Sequence, residues 1–315
     1  MYKIIEVTHQ FRAMNTDIET IICMPDGEYE SGKKLLKQAE SMFRLIENIL
    51  SRFNEDSELS LLNASAGSPF KANSVLFDVV KAALEAAKQT GGAFDPTLLD
   101  YLKAAGYDRS FEDSALPRKT PVPELPSKRF RWQNIRLDPA SSTIYMPPGC
   151  HLDLGGIGKG WAVDQISDIL KYSPGYAIDA GGDIRVGGRQ ASGEPWTIGI
   201  ADPFQENLNI ETVELRTGSI CTSTSQRRKW QIGGLWQHHI IDPSTGRPTQ
   251  SEVVSASVLA PSAVQAETLA KAAIILGPRE GLELLEKQPG VSGLLVFQAG
   301  RLLTSDGFPE PINAH

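Results

Sequence analysis

Residues with chemical potential fall into five short stretches. The densest is Asp153-Leu-Gly-Gly-Ile-Gly-Lys-Gly160, expected between a strand and a helix start. Exposed amides at a helix N-terminus beside an ammonium make a seat for phosphate oxygens, and the same residues also suit a plain strand-to-helix turn with a solvated lysine. It is not a Walker A loop, because Asp153 stands five before Gly158 and Gly160 follows Lys159. Gly156, Gly158 and Gly160 lack the final spacing of a dinucleotide fingerprint. A second glycine turn, Asp179-Ala-Gly-Gly-Asp183, allows either a close ligand or a sharp bend.

Three further stretches carry acids, bases and an ion pair. Gly92-Ala-Phe-Asp-Pro-Thr97 holds an acid and an aromatic in a loop of turn-forming residues. His238-His239-Ile-Ile-Asp-Pro243 contains two of the five histidines, and a strand there would send them to opposite faces, one toward a site and one away. Histidine suits general base work near neutral pH. No GxSxG elbow accompanies it and Cys221 has no evident partner, which argues against a hydrolase triad. Glu267 and Lys271 stand four apart on one helical face, and an exposed pair of that kind contributes about 0.2–0.5 kcal/mol.

The elements that must position these residues are legible from periodicity. Apolar residues at three-to-four spacing predict helices over 31–50 and 74–89, the second ended by Gly91 and Gly92 in left-handed conformation. Between them, SRFNEDSELSLLN is too polar for a third buried helix. Four prolines in 116–126 predict an exposed connection that separates two subregions. Short alternating runs then read as strands (NIRLD, TIYMP, YAID, IRVGG, WTIGIAD, ETVELRT, HHIID, SVLA). Two helices interrupt them, one from about Lys159 to Lys171 and one capped by Ser262 and Gln265 that ends before Gly277. The tail LLVFQAGRLLTS reads as a hairpin turning at Ala299 and Gly300. Strands and helices mixed without regular βαβ alternation indicate an α+β fold.

Composition bounds the partners. The 315 residues suffice for one large domain or two average ones, and 31 basic against 38 acidic residues give a formal net charge of −7. No global positive field exists to hold nucleic acid or anionic lipid, so an anionic ligand needs a local site. Cys23, Cys150 and Cys221 have no metal or disulfide spacing and fit a reducing compartment. With no apolar run long enough for a signal peptide or a membrane span, the expectation is a cytoplasmic protein without membrane insertion, or one whose export leader has been removed.

Taken together the chain resembles the ApbE family of FAD:protein FMN transferases. Seven elements carry the resemblance in the family's order: Phe11 to Thr16, Leu50 to Glu58, Gly92 to Thr97, Asp153 to Gly160, Ala180 to Asp183, His239 to Gly246, and Ser257 to Gly277. It implies one ApbE-like domain over 1–315, with mixed and antiparallel sheets, flanking helices and a central cleft. It also implies FAD as substrate, Mg²⁺ on its pyrophosphate, and transfer of FMN to a Thr or Ser of an acceptor flavoprotein or electron-transfer protein, with AMP released. Carried over by position, Met14, Phe53, Ala93, Phe94, Asp95, Asp153, Lys159 and His239 line the FAD site, with His239 at the reacting phosphorus.

The resemblance further implies a metal held by a glycine-loop carbonyl, here Gly156, and by an Asp and a Thr of the late helix, which here are Glu267 and Lys271. Glutamate can ligate Mg²⁺, but an ammonium has no lone pair and repels a divalent cation. The family's SGDYxR segment is Ser223 to Arg228 here and lacks its acidic and tyrosyl positions. Two outcomes follow. Lys271, held by Glu267, takes the metal's place and transfer survives, or the scaffold binds flavin without transferring it. Hydrolysis of FAD to FMN and AMP is a third, weaker reading.

Overall fold

A computed structural model describes residues 3–109 and 132–310. The proline-rich connection at 116–126 lies outside the described residues. Eight strands form the main sheet: β1 (Ile4–Ala13), β2 (Thr16–Pro25), β3 (Gly175–Ala180), β4 (Asp183–Gly188), β5 (Gly218–Thr224), β6 (Val253–Ala260), β7 (Ser292–Phe297) and β8 (Leu302–Thr304). They lie side by side in that order, each antiparallel to its neighbour. Because neighbours run antiparallel, short hairpins can join several of them, and the fold is α+β as expected.

Helices cover one face of this sheet. In α1 (Tyr29–Leu50) the stripe Leu36, Ala39, Phe43, Ile46 and Leu50 is buried, as its spacing requires. The helix α3 (Ser74–Gln89) starts on Asn73, whose side chain accepts from the Leu76 amide at 2.8 Å, and ends on Gly91 and Gly92 at φ +61° and +89°. Next, α5 (Gly158–Leu170) crosses α6 (Ala263–Glu286), which Ser262 caps through the Gln265 amide at 3.2 Å. Gly277, at φ +80°, breaks the α6 path where its end was expected, and a further helical segment follows through Pro278 to Glu286. On the other sheet face a hairpin of 196–201 and 209–215 packs Trp196, Ile198, Ile200 and Val213 on Val186, Ile220 and Leu294. The tail hairpin pairs β7 with β8 as read.

The structure corrects two expectations. A third helix, α2 (Glu58–Ala64), does form between the two early ones: Ser57 caps it through the Ser60 amide, and Leu59 and Leu62 are buried despite the polar flanks. The glycine cluster does lie between a strand, Thr143–Tyr145, and the start of α5, with 151–157 a loop between them. The HHIID segment is not one strand, since it breaks between Leu235–His238 and Ile241–Asp242. Elements with no counterpart in the sequence reading include the β1–β2 hairpin, the central strand β5 and α4 (Leu99–Ala104).

Candidate active site

The glycine cluster is held from three directions. Asn63 of α2 grips Leu152 at both ends: its amide nitrogen donates to the Leu152 carbonyl at 2.9 Å and its oxygen accepts the Leu152 N–H at 2.7 Å. The Asp153 N–H donates to the Pro96 carbonyl at 2.9 Å, which ties the cluster to the Gly92–Thr97 loop. The third hold is the crossing of α5 and α6. A Cβ on Gly160 would lie 2.7 Å from the Ala263 carbonyl oxygen, so only glycine allows this approach. Across the gap the Gly160 N–H donates to Glu267 Oε2 at 2.8 Å.

A cavity of about 170 Å³ opens over this arrangement. Met14, Phe53, Ala93, Phe94, Asp95, Asp153, Gly156, Lys159, His239 and Lys271 all line it, although they come from six separate stretches of chain. Glu267 lies just beneath. Met14 is carried at the tip of the β1–β2 hairpin, where Met14 and Asn15 take φ +53° and +57°. Asn tolerates that region, and Met14 is held there by its N–H donating to Glu47 Oε1 at 2.8 Å. Asp95 accepts from the Thr97 amide at 2.8 Å and hydroxyl at 2.7 Å; burial still raises its pKa above the ordinary carboxylate value, with these bonds opposing.

Sequence reasoning missed one wall of the cavity. Arg52 is largely buried, its Nε 2.6 Å from Asp153 Oδ2. Its guanidinium stacks 4.2 Å from the Phe53 ring centroid and 4.5 Å from that of Tyr107. Trp230 continues the aromatic series, 5.5 Å from Tyr107. A paired, stacked guanidinium stiffens this wall and offers planar surface to a flat ring. Nothing local in SRFNE distinguishes Arg52 from a solvated arginine, since Tyr107 and Asp153 lie far along the chain.

A second cavity, of about 480 Å³, meets the first at Gly155, Lys159, Arg228, His239 and Lys271. Its walls are the Gly181–Gly182 turn, Asp183, Thr222 to Thr224, and Ile198 to Ala201. At the junction Lys159 bonds the Asp183 carboxylate and lies 3.5 Å from Glu267 Oε1. Burial pulls the Lys159 pKa below its ordinary value, and Glu267 opposes that pull. His238 and His239 do part as expected: His238 Nε2 contacts the Thr249 carbonyl at 3.0 Å, while His239 faces both cavities. Burial, with Arg228 and Lys271 nearby, holds the His239 pKa well below the usual histidine value. Its Nδ1 is enclosed and has no partner among the described residues.

The Glu267–Lys271 pair is not the exposed surface pair that its spacing alone suggests. Glu267 is 1% exposed, and its Oε1 lies 3.1 Å from Lys271 Nζ. Lys271 Nζ also donates to the Gly156 carbonyl at 3.1 Å. Burial pushes the Glu267 carboxyl up, but Lys159, Lys271 and the Gly160 amide outweigh this and hold it below its ordinary value. Magnesium does not fit here. It needs oxygen ligands at about 2.0–2.1 Å, and the ammonium stands between the two oxygens that the resemblance assigns to the metal. No cluster of three His, Cys, Asp or Glu able to hold a metal exists among the described residues.

Known proteins share both sequence and fold with this chain. A model of the ApbE family matches residues 14–295. The chain is 33% identical over 293 residues to a protein of Treponema pallidum (strain Nichols) named FAD:protein FMN transferase, covering 87% of this chain and 80% of that one. A Vibrio cholerae serotype O1 protein of the same name is 30% identical over 283 residues, with coverage of 88% and 82%. The solved structure of the ApbE protein from Thermotoga maritima gives a TM-score of 0.83 at 25% identity, covering 96% of this chain and 97% of that one. Flavin transferase ApbE from Vibrio cholerae gives 0.80 at 26% identity, covering 96% and 98%. The ordered motifs, the cavity they converge on and these matches agree: the chain belongs to the ApbE family.

Proposed function

We propose that this protein is an FAD:protein FMN transferase, acting within one ApbE-like domain over residues 1–315. The observation that carries the reading is the junction of the two cavities, where a neutral histidine, two lysines and glycine-loop backbone converge. The first cavity takes one flat ring of FAD between Met14, Phe94 and the Arg52–Phe53–Tyr107 wall. Ala93 and Asp95 line its floor, and Asp153 anchors Arg52. The pyrophosphate lies at the junction, against the Gly155–Gly156 backbone and Lys159. The other half of FAD extends into the second cavity, from which the acceptor hydroxyl also arrives.

In the reaction, the hydroxyl oxygen of an acceptor Thr or Ser attacks the phosphorus of the FMN half. A phosphoester P–O bond forms, the anhydride P–O bond breaks, and AMP leaves with that bond's electron pair. His239 takes the hydroxyl proton, which its depressed pKa permits because the ring is neutral at pH 7. Lys159 and the loop backbone counter the charge that develops on the phosphoryl oxygens. The acceptor is a flavoprotein or electron-transfer protein. We place the reaction in the cytoplasm, a reading supported by three buried free cysteines; no described helix is long and apolar enough to cross a membrane.

The test is incubation with FAD and a Thr-containing acceptor peptide, with Mg²⁺ and with EDTA, following covalent flavin fluorescence on the peptide and AMP release. A fluorescent adduct with equimolar AMP is the expected result. A protein that binds FAD yet forms no adduct under any condition overturns the transferase reading.

A further inference from the structure

We propose that this chain binds the pyrophosphate of its flavin dinucleotide without a divalent metal, the Lys271 ammonium standing as the resident cation between the Gly156 carbonyl, the Glu267 carboxylate and the substrate. The inference rests on the FAD reading above and deepens it, because it names the form of the substrate taken: the metal-free dinucleotide.

The geometry that carries it is local and complete. An ammonium has three N–H donors. Two of them are used within the protein, on Gly156 O and Glu267 Oε1, both at 3.1 Å. Lys271 lines both cavities, so its remaining donor is available where they meet. The position is built rather than incidental. The Lys271 stem packs on the glycine loop, where a Cβ on Gly156 would lie 3.3 Å from Lys271 Cδ and Cε. Glu267 cannot turn away from the ammonium easily, because its other oxygen is held by the Gly160 N–H at 2.8 Å.

Charge bookkeeping points the same way. Lys159 and Lys271 balance Asp183 and Glu267, so the buried cluster is neutral before substrate arrives. Arg228, on the wall of both cavities, adds a positive charge facing the anion. A divalent ion would have to enter next to Lys271, against its repulsion, and displace it from the two oxygens. The substrate oxyanions instead complete the ammonium's donor set. Because a lysine is tethered and singly charged, it needs no metal supply and cannot be removed by a chelator.

The deciding measurement is ADP binding to the full chain by calorimetry, in EDTA and in excess Mg²⁺, with Mn²⁺ binding followed by electron paramagnetic resonance. Wild-type affinity should agree within about threefold in the two buffers, and Mn²⁺ should show no protein-bound signal beyond that of its ADP complex. Lys271→Met should weaken ADP by about tenfold or more, with no recovery in Mg²⁺. The pair Glu267→Asp and Lys271→Thr should create a Mg²⁺-dependent gain of about tenfold or more. If either variant fails to fold, shown by its circular dichroism, the wild-type comparison and the Mn²⁺ spectrum decide alone. ADP binding that appears with Mg²⁺ and vanishes in EDTA overturns the inference and leaves the FAD reading intact. If neither ADP nor FAD binds in any buffer, the FAD reading itself falls and the inference with it.

Discussion

The two cavities that meet at His239 are built by opposite means. The first is walled by side chains from loops and helices: Met14 at a hairpin tip, Phe53 and Arg52 after α1, Phe94 after α3, and Tyr107 after α4. The second is walled mostly by the main sheet and its covering hairpin, with the Gly181–Gly182 turn and Thr222 to Thr224 presenting backbone and hydroxyls. Stacked aromatics and a paired guanidinium suit one rigid flat ligand. A roomier polar surface of strands suits a flexible substrate and an incoming hydroxyl. On the FAD reading proposed above, the first cavity fixes one ring of the donor, while the second, shared by the rest of the donor and the acceptor, is left roomier.

The comparison breaks most visibly at the junction. Replacing His239 by alanine should lower transfer kcat by about 10²-fold or more while FAD affinity stays within about threefold, because base catalysis contributes on that scale. Stopped assays of adduct formation beside FAD titration would check it, and an equal loss in both would mean that His239 belongs to the donor cavity alone. The support of both cavities is tested next by Gly160→Ala. A Cβ 2.7 Å from the Ala263 oxygen must push α5 from α6, costing about 1–3 kcal/mol in urea unfolding. An unchanged unfolding midpoint would show that the crossing has slack.

Arg52→Ala isolates the first cavity. It removes the stack on Phe53 and Tyr107 and leaves Asp153 unpaired, so FAD affinity should drop about tenfold, or 1.4 kcal/mol, with the acceptor KM unchanged. A change in acceptor KM would erase the division of labour. The smallest expected effect is in the shape of a pH profile. A histidine whose folded pKa is depressed stays neutral as pH drops through its ordinary value of 6.5, so kcat/KM should hold through that point and fall only well below it. The same shift makes the unfolded chain take up the proton first, so His239's contribution to stability is present above pH 6.5 and is lost as pH falls below it. A profile with its acid limb centred at 6.5 would place His239 in water rather than at the enclosed junction.

Particular residues show how far the sequence could be read. The stripe of α1, the cap at Ser262 and the glycine stop after α3 follow from spacing within one or two turns, and all lie where spacing put them. The helix α2 escaped because its apolar content is just Leu59 and Leu62 in a polar window, and burial beneath the glycine loop, through Asn63, completes it. Met14 and Asn15 hid a hairpin because neither is the glycine that normally announces such a turn.

By itself the sequence determined the α+β class, the order of the seven family elements and the residue types able to meet a pyrophosphate. These depend on local period, turn chemistry and composition, which are written along the chain. Tertiary structure decided what those residues are worth. The spacing of Glu267 and Lys271 permitted a surface pair of little consequence; the approach of α5 to α6, possible because Gly160 has no side chain, buries the pair beneath the glycine loop. Arg52 became a wall when Tyr107 and Asp153 folded against it. Charge in water is screened and cheap, while charge enclosed beside a cavity must be matched, and enclosure is a property of packing between residues distant in sequence.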